Sequence, residues 1–201
     1  KSILPSTVQR ACRLAMAGPR GPVFVSVPME YLFENMTKDV PSELGSAPLA
    51  TADPKGIEEL ADLLAGASHP VIVAENSGKT LKAVECLVEI AELLGCPVAE
   101  TRSTGAINFP RTHPLHSGYD AKEGVQGADV IFLLAVIAPW HPASITPSPG
   151  AKVAMLDENP LRAEIPYYGY QSDLCLTGEI ETSLEHLLAA LKKRVSKGDA
   201  S

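Results

Sequence analysis

The chain has 201 residues, 45% of them hydrophobic, 20% charged and 5% aromatic, with a net charge of −7. That length suits one globular domain plus a further segment, and the net acidic balance gives no support for a nucleic-acid surface, which would need clustered Lys and Arg. No apolar run approaches the ~20 residues that span a bilayer, and Lys1-Ser2-Ile3-Leu4-Pro5 has neither the apolar core nor the cleavage site of a secretory leader, so a cytoplasmic protein without membrane contact is expected.

In chain order, Val8, Ala11, Cys12, Ala15 and Met16 recur at helical spacing and predict an amphipathic helix ending near Gly18-Pro19. Pro22 to Pro28, largely apolar and bounded by prolines, predicts a short strand. Residues 36–50, rich in Pro, Ser, Gly and Ala, read as a linker.

A new unit opens at Asp53-Pro54, an N-cap followed by a residue tolerated in the first helical turn, with Ile57, Leu60, Ala61 and Leu64 as its apolar stripe. Val71 to Ala74 reads as a buried strand. The next helix starts near Thr80 and is expected to turn Leu81, Val84, Leu87, Val88, Ala91 and Leu94 inward, with Gly95 as a left-handed C-cap. Pro97 to Thr101 is a second strand, and residues 102–119 are polar and irregular. Asp129 to Val136 reads as a central strand, followed by a proline-rich loop from Pro139 to Pro149, a strand at Lys152 to Asp157 and another at Leu174 to Leu176. The last helix turns Ile180, Leu184, Leu187, Leu188, Leu191 and Val195 inward.

Strands apolar on both faces, alternating with helices, predict an α/β fold: a Rossmann-like, doubly wound parallel sheet with helices on both faces over residues 51–195, followed by a polar tail at 196–201. Cys12, Cys86, Cys96 and Cys175 are far apart and read as small core residues rather than metal ligands. His113 and His116 are three apart without a third ligand nearby, and Pro114 argues for a turn rather than a metal pair.

Several segments, in order, resemble thiamine-diphosphate-dependent enzymes of the acetolactate synthase and benzoylformate decarboxylase type. Gly18-Pro19-Arg20-Gly21-Pro22-Val23-Phe24-Val25 resembles the end of their pyrimidine-binding domain. Pro70-Val71-Ile72-Val73-Ala74, Gly95-Cys96-Pro97-Val98, His113-Pro114-Leu115-His116-Ser117-Gly118, Ala128-Asp129-Val130-Ile131 and Leu156-Asp157-Glu158-Asn159-Pro160 resemble their middle domain. The resemblance implies that residues 1–35 end the upstream domain and that 51–195 form the middle one. It also implies a decarboxylase or carboligase acting on 2-oxo acids, with thiamine diphosphate and magnesium held elsewhere. The family's Gly-Asp-Gly motif is absent, and Gly198-Asp199-Ala200 does not match it, so no catalytic residue is expected in this segment. The remaining domains of the same chain and a homo-oligomer are the implied partners.

A nucleotide site in such a fold lies at the strand carboxyl ends. The candidates are Asn76, Ser77 and Gly78 after the first strand, Ser103 and Thr104 after the second, and Asp157 as a ribose-binding acid or a turn-former. Glu75 puts a carboxyl group where a diphosphate would approach, and Lys79 would offset part of the repulsion. Flavin-binding relatives carry an extended segment after the His-Pro-Leu turn, and the short passage from Gly118 to Asp129 speaks against FAD. ADP or CoA stays open, as does an NAD-binding protein, which the single glycine disfavours. Glu75, Glu100 and Asp120 are candidates for a carboxylate pair, and Trp140 for an interface anchor or a core cover.

Overall fold

A computed structural model describes residues 3–33, 49–101, 105–166 and 168–198. The chain separates into two compact units, Lys1–Ala50 and Thr51–Ser201. The expected linker lies mostly outside the described residues.

In the first unit, α1 spans Ile3–Met16 and buries no residue. It begins earlier than its stripe suggested, because Pro5 sits in the first turn, where its missing N–H has no helical partner to lose. The expected strand at Pro22 to Pro28 forms no ladder among the described residues. The segment leads into a 3-10 helix, Met29–Phe33. A strand is defined by its neighbour, and among the described residues none supplies the hydrogen bonds.

In the second unit, α2 (Pro54–Gly66) is capped by Asp53, whose side chain accepts from Gly56 N at 3.1 Å. Then follow β1 (Pro70–Ala74), α3 (Leu81–Leu94), β2 (Val98–Glu100), α4 (Lys122–Gly127), β3 (Val130–Leu134), β4 (Lys152–Asp157), β5 (Leu174–Thr177) and α5 (Ile180–Gly198). All pairings are parallel and the order is β2-β1-β3-β4-β5. This is a doubly wound sheet. Alternation along the strands splits the core. Ile72, Phe132, Ala154 and Leu156 face α2, α3 and α5, whereas Val73, Ile131, Leu133 and Met155 face α4 and the loop carrying Trp140 and Ile145.

Three sequence expectations shift. The inward face of α3 is Ala83, Cys86, Leu87, Ile90 and Ala91, with Leu81 left exposed. Lys82, Glu85, Glu89 and Glu92 form the solvent face of this helix, and Leu81 lies at its edge. α4 has only Val125 buried, too short a stripe to see in sequence. Of the cysteines, Cys86 and Cys96 are buried as expected, but Cys12 and Cys175 are exposed. Burial pushes the Cys96 thiol up to about 12. Gly95 caps α3 at φ 59°. Next to β2, Val98 N donates to Leu115 O and Ser117 N to Val98 O, both at 2.9 Å, so the His113–Gly118 turn covers that sheet edge.

Candidate functional site

From β1 the chain continues on opposite sides, to β2 and then to β3, so the crevice between the carboxyl ends of β1 and β3 is the topological switch point. The turn from Glu75 to Lys79 crosses it into α3. Two successive amides of this turn, Ser77 N and Gly78 N, donate to one oxygen, Asn108 Oδ1, at 2.8 and 3.0 Å, and the Ser77 hydroxyl joins them at 3.2 Å.

Asn108 is fully buried. Its own N–H and its Nδ2 donate to Glu100 Oε1 at 3.1 and 2.9 Å, and Glu100 Oε2 meets His116 Nε2 at 3.0 Å. The buried carboxyl group at the end of β2 is thereby satisfied by an amide, a carboxamide and an imidazole, as such a group requires. Gly78 is needed for this closeness. A Cβ there would lie 1.9 Å from the Ile107 carbonyl oxygen.

Glu75 is 1% exposed, and its Oε2 accepts from Ile137 N, just beyond β3, at 2.7 Å. Asn76 N donates to Ala135 O at 3.2 Å, and Asn76 Oδ1 accepts from Gly105 N at 3.4 Å. Lys79 pairs with Glu158 at 3.2 Å, tying the turn to the end of β4.

Asp157, at the end of β4, accepts from Asn159 N at 2.8 Å and from Arg162 Nη2. Burial pushes its carboxyl above the usual range, against the opposing pull of the Asn159 amide and Arg162. Arg162 itself has φ 44°, and its Nε is buried without a hydrogen-bond partner.

Of the sequence-derived candidates, Asn76, Ser77 and Gly78 thus share one turn, and Asp157 lies across the crest from it. Ser103 and Thr104 lie outside the described residues. Glu75, Glu100 and Asp120 bond to separate partners: Ile137 N, Asn108 with His116, and Lys122 N. His113 and His116 also part, to Glu92 and Glu100. Leu115 N donates to His113 Nδ1, which leaves Nε2 as the protonated nitrogen facing Glu92. Among the described residues no group of three His, Cys, Asp or Glu side chains is arranged to hold a metal ion.

Trp140 and Tyr170 stand edge to face at 5.7 Å, and the Tyr170 hydroxyl donates to Trp140 O at 2.6 Å. They wall a cleft of about 580 Å³ with Glu100, Tyr119 and Asp120, and a second of about 380 Å³ with Ala151 and Asp173. Sequence reasoning missed Asn108 and its buried neighbour Phe109. The available signal was an aromatic residue beside an Asn in an otherwise polar stretch.

The fold and its crest define a doubly wound α/β domain whose switch point is bridged by its own side chains. This chain belongs to the thiamine pyrophosphate enzymes through their central domain, whose family model matches residues 57–187. A probable acetolactate synthase large subunit of Methanocaldococcus jannaschii is 28% identical, over 94% of this chain and 34% of that protein. An oxalyl-CoA decarboxylase of Escherichia coli K12 is 25% identical, over 92% of this chain and 33% of that protein. The crystal structure of benzoylformate decarboxylase from Polynucleobacter necessarius superposes with a TM-score of 0.80 at 22% identity, over 94% of this chain and 36% of that one. The chain therefore spans about a third of the length of the curated relatives it matches. No helix among the described residues is long and apolar enough to cross a membrane.

Proposed function

We propose that this domain is a scaffold and interface within a cytoplasmic thiamine-diphosphate-dependent enzyme that decarboxylates or ligates 2-oxo acids or their acyl derivatives, and that its nucleotide site is degenerate. Residues 1–35 are assigned to the end of the upstream domain, 36–50 to a linker, 51–195 to the central domain and 196–201 to a polar tail. The supporting observation is Glu75: a buried carboxyl group occupies the switch point and engages the Ile137 N–H that would otherwise face a ligand. The crest does not fit a diphosphate, since its amides are engaged by side chains of the chain itself. No step of the cofactor's chemistry is assigned to these residues. Thiamine diphosphate with magnesium is assigned to the other domains, as is the substrate.

The test is direct. With thiamine diphosphate, magnesium and pyruvate or benzoylformate, the 201-residue chain should give no turnover, and FAD, ADP and CoA should leave its melting temperature unchanged. Cofactor-dependent turnover by the purified chain defeats the assignment. A second reading, a working ADP-, CoA- or FAD-binding module, draws on the cleft of about 580 Å³ beside the crest. Saturable stabilisation by one of these nucleotides would select it.

A further inference from the structure

We propose that Asn108 is a built-in occupant of the turn between β1 and α3, keeping closed a position that would otherwise receive a diphosphate or similar anion. Two consecutive backbone N–H groups and a hydroxyl converging on one oxygen is the geometry by which a strand-to-helix turn takes up an anion's oxygen. Here the oxygen is Asn108 Oδ1, at 2.8, 3.0 and 3.2 Å. A carboxamide supplies the acceptor without a charge, which suits a turn that begins with buried Glu75.

The loop that delivers it is fastened in three ways. The Ile107 carbonyl lies against Gly78, where no side chain fits. Asn108 N and Nδ2 are bound by Glu100 at 3.1 and 2.9 Å. Phe109 is fully buried, with His113 edge-on at 5.0 Å and His116 stacked at 6.5 Å. Lifting the loop would leave buried amides and a buried carboxyl group unpaired, which is costly. The closure is therefore part of the fold, and His116, through Glu100, is a positioning residue for it.

This inference rests on the degenerate-site reading and names the residue that closes the site. The experiment follows the Ser77 and Gly78 amide signals in the 201-residue chain during titration with inorganic pyrophosphate. Three proteins are compared: the unaltered chain, Glu75→Gln, and Glu75→Gln with Asn108→Gly. Gln keeps an acceptor for Ile137 N but removes the charge. The first two should show no movement at millimolar pyrophosphate, and the double variant should show saturable shifts of both amides, with affinity raised at least about tenfold.

A folded double variant whose amides do not move overturns the role of Asn108 and leaves the degenerate-site reading standing. Movement in the unaltered chain overturns both. Should the double variant not fold, Asn108→Ser replaces Asn108→Gly. Hydrogen exchange on the unaltered chain gives a separate check. A closed turn requires Ser77 and Gly78 to exchange as slowly as the amides of β1, and fast exchange at both rejects the closure.

Discussion

Residues Lys1–Ala50 and Thr51–Ser201 form separate compact units, and similar apolar patterns meet different fates in them. α1 carries an amphipathic stripe, yet none of its residues is buried, and in the same unit Phe24 is 91% and Phe33 80% exposed. α2, with a comparable stripe, buries Ile57, Leu60, Ala61 and Leu64 completely or nearly so. The difference lies in what each helix has to cover. α2 belongs to the face of a five-stranded sheet shared with α3 and α5, whereas no strand is described in residues 3–33. Amphipathic periodicity makes a helix able to pack. Stabilisation comes only when a complementary apolar surface is present.

Two phenylalanines carry the largest expected difference between the units. Phe132, fully buried in β3, should cost about 3–5 kcal/mol when changed to Ala, because its transfer energy and the cavity left behind add. Phe24→Ala should change stability by less than about 0.5 kcal/mol, since the ring is already in solvent. Urea unfolding of both variants reads the contrast, and a comparable loss in the two would show that the first unit has a core after all.

Next in size is a pair of glycines. Gly78→Ala forces a Cβ to within 1.9 Å of the Ile107 carbonyl, so the loop carrying Asn108 must move, at a cost of about 1–3 kcal/mol. Gly21→Ala in the first unit meets nothing within 4 Å and should be close to neutral. Thermal melts of the two variants test whether close backbone contact, as well as burial, separates the two units.

The sequence made the second unit legible because its signals are local and redundant. Asp53-Pro54 opens α2, Gly95 closes α3 in the left-handed region, and unbroken apolar runs become parallel strands. The candidate site was legible only in place. Asn76, Ser77 and Gly78 do lie on the switch-point turn, but Asn108, the partner of Ser77 and Gly78, comes from 30 residues downstream of Gly78. No periodicity encodes a contact of that kind. The strand expected at Pro22 to Pro28 failed for a similar reason, since a strand depends on a neighbour that composition does not reveal. On α3 the expected Leu87 and Ala91 are buried and Val88 and Leu94 pack against the core, while Leu81, in the first turn beside the charged face, is exposed.

A smaller effect comes from Asp129, which precedes β3 and fastens the connection between α2 and β1. Its carboxylate accepts from Ser68 N at 2.6 Å and His69 N at 2.9 Å. Burial pushes its pKa upward, but the amides of Ser68 and His69, with its own and that of Val130, outweigh this and hold it below the usual range. A depressed folded pKa means stability that is present above the unfolded value of about 3.9 and lost as pH falls through the folded one. Asp129→Asn should therefore lower stability at pH 7 by about 0.5–1.5 kcal/mol and flatten the acid limb below about pH 4. Equal acid limbs in the two proteins would remove the charge of Asp129 from the account.

The smallest expected change in stability comes from the largest alteration, removal of residues 1–50. The second unit has its own core, its own caps and a covered sheet edge at β2, so its cooperative melt should survive the deletion with a shift of about 2 °C or less. Association should respond far more. Val8, Leu14 and Met16 of α1 and the exposed Phe24 and Phe33 present apolar side chains to solvent in the first unit, and surface of that kind seeks cover. We expect the 201-residue chain to self-associate through this segment or through the Trp140 loop. Light scattering on the full and shortened chains, with and without Trp140→Ala, separates the routes. A drop in mass on deletion alone assigns the first unit, and a drop on Trp140→Ala alone assigns the loop. If the full chain is monomeric and residues 51–201 no longer melt cooperatively, the contrast between the two units fails, because the first segment would then be part of the second unit's core.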